Sequence, residues 1–173
     1  MRRGAAVFCL GLWAMGTVCV SVVATQNFYT IDRLLAAAPQ PQFDAVVEQV
    51  GDDVARDFLR YLSSELNRLF FQYWNYAQFL IGGAATWLVL GLPEGARLKW
   101  PLGVMLAILV VLTFVVTPPI ISIGRGLDFV PRDPPPPSLA TFDILHAAYT
   151  SLEMIKAAIG LWVGYRLGAS VRH

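Results

Sequence analysis

The sequence predicts an all-α fold, an integral membrane four-helix bundle with an amphipathic helical extension before the second span. Three stretches, Gly4 to Ile31, Leu69 to Pro93 and Trp100 to Gly124, hold no charged side chain. At a helical rise of about 1.5 Å per residue, some twenty apolar residues cross a hydrocarbon core about 30 Å thick. Composition points the same way. Hydrophobic residues make up 56% of the 173 and charged residues 14%, where a globular domain carries about a quarter charged.

The first span is expected over 5–29. Its N-terminus admits a second reading. Arg2 and Arg3, an apolar run and then Val22-Val23-Ala24 also fit a signal peptide with a small-residue cleavage site that would remove residues 1–24. The length of the run to Ile31 and an interfacial Asn27, Phe28 and Tyr29 favour a retained span. Cys9 and Cys19 lie about 15 Å apart along such a helix, too far to bridge.

The only sizeable polar segment, 32–68, is broken early by Pro39 and Pro41. From Phe43 the apolar residues Val46, Val47, Val50, Val54, Phe58, Leu62 and Leu66 recur at three and four residues, as in an amphipathic helix. The spacing predicts a polar helix over 43–68 that either lies on a membrane surface or extends the second span, 69–92, into water. No proline interrupts Asp44 to Leu92, which favours the extension.

Leu92-Pro93-Glu94-Gly95 stops the second helix and predicts a tight antiparallel hairpin with the third, 100–122, which Pro118 and Pro119 would kink or end. Pro134 to Pro137 close the next loop, and Ser138 or Thr141 offers a cap for a fourth helix, spanning 143–166. Lys and Arg then divide by end. Arg2, Arg3, Arg97, Lys99, Arg166 and Arg172 fall in short segments on one side. Arg33, Arg56, Arg60, Arg68, Arg125 and Arg132 fall in longer loops on the other. The positive-inside rule weighs short segments most, giving a multi-pass inner-membrane protein with both termini cytoplasmic.

Polar side chains inside lipid must find partners within the protein, so they mark the bundle interior. Glu65, Arg68, Gln72 and Asn75 form one stripe on the second helix, continued by Gly82 and Thr86. His146, Tyr149, Glu153, Lys156 and Gly160 form another on the fourth. Glu153 has the spacing to pair with Lys156, or to accept from Arg68 or Gln72 if the stripes meet. Thr17, Ser21 and Gln26 are the first helix's contribution, and Gly11, Gly16, Gly82 and Gly83 permit close helix approach. These eight residues, Glu65, Arg68, Gln72, Asn75, His146, Tyr149, Glu153 and Lys156, are the candidate seam: either a functional polar path or interhelical glue. The tryptophans, Trp13 among them, read as interfacial anchors or lipid-facing residues.

His146 is the one histidine in a predicted span, His173 being terminal, so two-histidine haem ligation is not expected; nor is any metal or other cofactor, without CxxC or Cys/His spacing. No HExxH, GxSxG or P-loop pattern occurs, and no enzymatic activity is expected. A net charge of +1 implies no nucleic-acid partner. The expected partners are the lipid bilayer and either a second copy in a homo-oligomer or another membrane protein. The expected role is a small transporter-like or accessory membrane component, or else a scaffold whose 32–68 segment docks a partner subunit.

Leu12-Trp13-Ala14-Met15-Gly16, Ala24 to Phe28, Glu65-Leu66-Asn67-Arg68 and Phe142 to His146 together resemble a family of small bacterial four-helix membrane proteins of unknown function, related to a eukaryotic transmembrane protein associated with cisplatin resistance. The resemblance implies the four-helix fold and no established activity. The family's usual small hydroxyl residue and asparagine after the histidine are replaced here by Tyr149, Leu152 and Glu153.

Overall fold

The computed structural model describes residues 1–37 and 40–169; Pro39, Arg172 and His173, used above for the loop, the orientation and the histidine count, lie outside the described residues. The described residues form helices joined by short turns and one loop, without a strand: α1 (Arg2–Ala37), α2 (Pro41–Val50), α3 (Asp52–Leu90), α4 (Gly95–Val111), a π turn (Leu112–Val116), α5 (Thr117–Gly126) and α6 (Pro137–Ala169). Two segments, Arg2–Ala37 and the continuous Gly95–Gly126, are long and apolar enough to cross a membrane.

The polar segment departs from the single helix expected over 43–68. Pro41 opens α2, where its missing N–H costs nothing, and Gly51, at φ 87° and ψ 148°, ends it and starts α3. That left-handed φ suits glycine and interrupts what no proline does. From Asp52 the chain runs unbroken to Leu90, so the extension of the second apolar stretch is shorter than expected. Its apolar stripe points outward, with Val54, Phe58 and Leu62 exposed, while Ser63 and Asn67 are buried against α1.

Pro118 and Pro119 neither end nor break the third helix. The π turn just before them widens the ladder, the Thr117 N–H reaching Leu112 O, and the helix continues to Gly126. A wider turn relieves the clash of a proline ring with the carbonyl four residues earlier. Likewise α6 starts at Pro137, ahead of both Ser138 and Thr141, so neither caps it.

The helices form a ring: α1 packs on α3 and α6, and α4 packs on α3 and α6. α1 and α3 run antiparallel. Arg2 donates to Trp87 O and Leu88 O at one end, Trp13 meets Gln78, and Asn27 meets Asn67 toward the other. The half of the bundle near Arg2 is filled by apolar side chains, including Leu10, Val89, Leu102, Leu109, Val163 and Leu167. A smaller cluster of Leu112, Val116 and Tyr149 lies in the other half.

Polarity is inverted across this bundle. Gln78 is 0% and Lys156 1% exposed, whereas Leu80 is 79% and Trp100 75% exposed.

Candidate functional site

Polar side chains of α3 set three tiers, at Arg68, Asn75 and Gln78, rising about 15 Å along the helix. At the Arg68 end, the guanidinium makes a two-bond contact with Asp128 (2.8 and 2.9 Å) and donates to Glu65 (2.6 Å). Arg125 reaches the same Glu65 carboxylate at 3.2 and 3.3 Å. The bond from Arg125 draws the Glu65 carboxyl below the usual carboxylate range, partial burial opposing it and Arg68 adding to it. Two cations and two anions close this tier.

The middle tier ties three helices together. Tyr149 Oη donates to Asn75 Oδ1 (2.9 Å), Asn75 Nδ2 donates to Thr117 Oγ1 (2.9 Å), and Thr117 Oγ1 donates to Leu112 O (2.7 Å). Thr117 thus serves an acceptor carbonyl at the π turn and anchors α3 to it. Phe71 meets the Tyr149 ring edge-on at a centroid distance of 5.4 Å, fixing its direction.

The deepest tier holds the buried ion pair. Lys156 Nζ donates to Glu153 Oε1 at 2.6 Å and also to Gln78 Oε1. Gln78 Nε2 donates to Glu153 Oε1 (3.3 Å), Trp13 Nε1 donates to Gln78 Oε1 (2.7 Å), and Thr17 Oγ1 donates to Glu153 Oε2 (3.0 Å). The Lys156 ammonium also stands 5.7 Å from the centroid of the Trp13 ring. Each carboxylate oxygen has a donor, as burial of a charge demands. Thr17, Gln78 and Glu153 stand near the middle of their apolar stretches.

Between α3 and the π turn with α5 lies a cavity of about 470 Å³, bordered by Gln72, Asn75, Tyr76, Thr113, Thr117, Pro118, Ile121, Ser122 and Arg125. It joins the first two tiers. Beyond the ion pair the apolar core closes the bundle, and the cavity does not reach Gln78, Glu153 or Lys156.

Of the eight candidate residues, the structure brings Glu65 and Arg68 together in the end tier, Asn75 and Tyr149 in the middle and Glu153 and Lys156 at depth. Two are corrected. Gln72 is exposed at the cavity edge and makes no side-chain hydrogen bond among the described residues, and His146 is exposed, stacked on Phe142 at 5.4 Å. Both sit one step around their helices from the buried line. Glu153 accepts from Gln78 and Thr17, not from Arg68 or Gln72, because Arg68 is held by Asp128 about ten residues' rise away. Gln26 is exposed and Ser21 bonds its own helix at Thr17 O. Of the glycines, Gly16 and Gly82 admit the indoles of Trp74 and Trp13 rather than another backbone, and Gly11 and Gly83 face open space.

Trp13, read as an anchor, is instead 2% exposed. Gln78, Thr117 and Asp128 join the site without standing out in the sequence. For Gln78 the signal existed, since it falls between Asn75 and Gly82 at steps of three and four. Asp128 lies past a helix end, where periodicity is silent.

The arrangement offers a buried acid paired with a buried amine, below a separate tier of hydroxyl and amide groups that both donate and accept. Among the described residues no group of three His, Cys, Asp or Glu side chains surrounds a metal position. Comparison with protein-family models, curated proteins and solved structures found no match.

Proposed function

We propose that the chain is a four-span integral membrane protein, a small transporter-like or accessory component whose interior seam connects one aqueous side to the buried Glu153–Lys156 pair. The single observation that carries this reading is the inverted polarity. A soluble protein does not bury an ammonium and two amides while leaving an apolar surface around its whole circumference. Lipid reverses the cost of both arrangements.

The same logic extends the span assignment from two helices to four. The apolar residues of α3 are interrupted by Gln72, Asn75 and Gln78, and those of α6 by Glu153 and Lys156. Most of those groups point inward. The outward residues are Tyr73, Tyr76, Leu80, Trp87 and Leu90 on α3, and Met154, Ile155, Leu161, Trp162 and Tyr165 on α6. Each helix offers lipid an apolar face.

Orientation with both termini cytoplasmic rests on the bases near Arg2. Arg2, Arg3, Arg97 and Lys99 share their end with one acid, Glu94, which Arg3 engages at 2.6 Å. The opposite end carries most of the acids, including Asp32, Glu65 and Asp128. An inner membrane location, and kinship with the small bacterial four-helix family that the sequence resembles, belong to the same reading.

The test is reconstitution of the full chain into vesicles, with Glu153→Gln and Lys156→Met made separately. Changed pH-dependent permeation in either variant is the expected result; two variants that insert and behave as the parent would overturn a functional seam. A second reading is favoured by the outward stripe Val46, Val50, Val54, Phe58 and Leu62, which stays exposed although the Phe58 ring meets Phe129 edge-on. There the segment 32–68 docks a partner membrane subunit or a second copy, and Phe58→Ser abolishes cross-linked capture.

A further inference from the structure

The cavity between α3 and α5 has a donor-rich lining and no carboxylate on its wall. Gln72, Ser122 and the Thr113 hydroxyl have no side-chain partner among the described residues, and the Thr113 Oγ1 is fully buried in a residue only 7% exposed. A buried hydroxyl left unpaired costs free energy that a ligand oxygen would recover. Arg125 stands at the rim, 60% exposed, and its bonds to Glu65 are the longest in that cluster. An Arg125 turned toward an anion gives up its bonds to Glu65, whose carboxylate keeps its 2.6 Å contact with Arg68.

The cavity's position fixes the kind of molecule. Its polar rim, Gln72, Ser122 and Arg125, lies at the ends of the apolar stretches 69–92 and 100–122, the depth of lipid headgroups. Beside it Tyr73, Phe114 and Val115 face outward. The cleft thus offers donors within and an apolar flank beside it. About 470 Å³ is within the range of small-molecule sites.

We infer that this cleft seats the phosphate of an anionic membrane lipid, with Arg125 and Ser122 binding its oxygens and the Gln72 amide and Thr113 hydroxyl completing the site. The inference rests on the four-span reading. Arg125 is the phosphate-recognising group, because its planar guanidinium offers paired donors that a lysine lacks.

The experiment places the full chain in phosphatidylcholine nanodiscs, verifies insertion by protease protection, and titrates phosphatidylglycerol, diacylglycerol and inorganic phosphate by native mass spectrometry. Phosphatidylglycerol is expected to be retained at one copy per chain, diacylglycerol not. Arg125→Gln should weaken retention about tenfold, the loss of one charge-assisted contact, while Arg60→Gln, outside the cleft lining and about 18 Å of helical rise from Gln72, changes it less than twofold. Ser122→Ala, a small change on the surface of the cleft, should weaken it in the same direction. Insertion with equal retention of the two lipids, or an unchanged Arg125→Gln, overturns the headgroup site while leaving the four spans standing. Full displacement by inorganic phosphate overturns the assignment to a lipid. Solubility without detergent overturns both readings.

Discussion

Lys156 and Glu153, one helical turn apart on α6, form a 2.6 Å ion pair with side chains 1% and 6% exposed. Removing either partner leaves a charge at the least hydrated point of the bundle, and a broken buried pair costs about 3–5 kcal/mol. Glu153→Gln and Lys156→Met should each lower the thermal midpoint in detergent sharply. Replacing both by apolar residues of similar size, Glu153→Leu with Lys156→Met, removes the desolvation cost along with the attraction and should recover most of the loss. A double variant that is stable yet unchanged in permeation assays would make the pair purely structural.

Thr117 links two elements through one hydroxyl, so Thr117→Val tests the middle tier without changing shape. The substitution leaves an Asn75 N–H without its acceptor and Leu112 O without its extra donor. The stranded Asn75 N–H costs about 1–3 kcal/mol, while Leu112 O keeps the Thr117 backbone N–H and loses less. Tyr149→Phe should cost less, because Asn75 Oδ1 is then the only group deprived. The ranking is read from thermal midpoints in one detergent; equal midpoints for both variants and the parent would show that the tier contributes nothing.

Which parts of this were legible in the sequence follows from what periodicity records. The runs without charge, and the inward lines through Arg68 and Asn75 and through Tyr149, Glu153 and Lys156, repeat at helical spacing, so they were readable before any coordinates. What stayed hidden depends on partners distant in sequence. Trp13 in an apolar run is indistinguishable from a lipid-facing anchor until Gln78 is placed opposite it. The stripe from Val46 to Leu66 was visible, but which way it faced was not, because an apolar face turns inward in water and outward in lipid. Gln72 and His146 fell within the tolerance of a helical-stripe argument and outside the buried line itself. The break at Gly51 is a backbone event that a search for prolines does not detect.

The Glu65 cluster lies outside the apolar stretches and gives a pH dependence with a definite sign. Its carboxyl is held below its ordinary range by Arg125 first, with Arg68 adding. A depressed carboxyl supplies stability that is present above its unfolded pKa and is lost as pH falls through the folded one. Thermal midpoints measured from about pH 6 down to about pH 3 should therefore fall for the parent and fall less for Glu65→Gln, whose amide does not titrate. Asp128, which faces Arg68 from the loop, remains in both proteins. Identical slopes would show that Arg125 and Arg68 do not bias the carboxyl.

The two readings of the N-terminus separate at α1. This helix supplies Ala6, Leu10 and Trp13 to the main core, and Thr17 to the ion-pair tier. A chain cut after Ala24 would expose Gly82 and Met105 where the indole and Leu10 now pack, and would leave Glu153 Oε2 with no donor and Gln78 Oε1 with one fewer. Arg2 would vanish from the carbonyls at the end of α3, and Arg3 from Glu94. A removable leader has no reason to satisfy buried groups of the protein it leaves. The intact mass of the membrane-extracted chain is therefore expected to include residues 1–24. Gly82→Ala probes the same packing within the full chain, because a Cβ there would stand 2.6 Å from the Trp13 ring. Displacing that ring breaks its bond to Gln78 and should cost about 1–3 kcal/mol, as overpacking does. A mass lacking residues 1–24, together with a Gly82→Ala protein as stable as the parent, would remove α1 from the bundle and with it one wall of the seam.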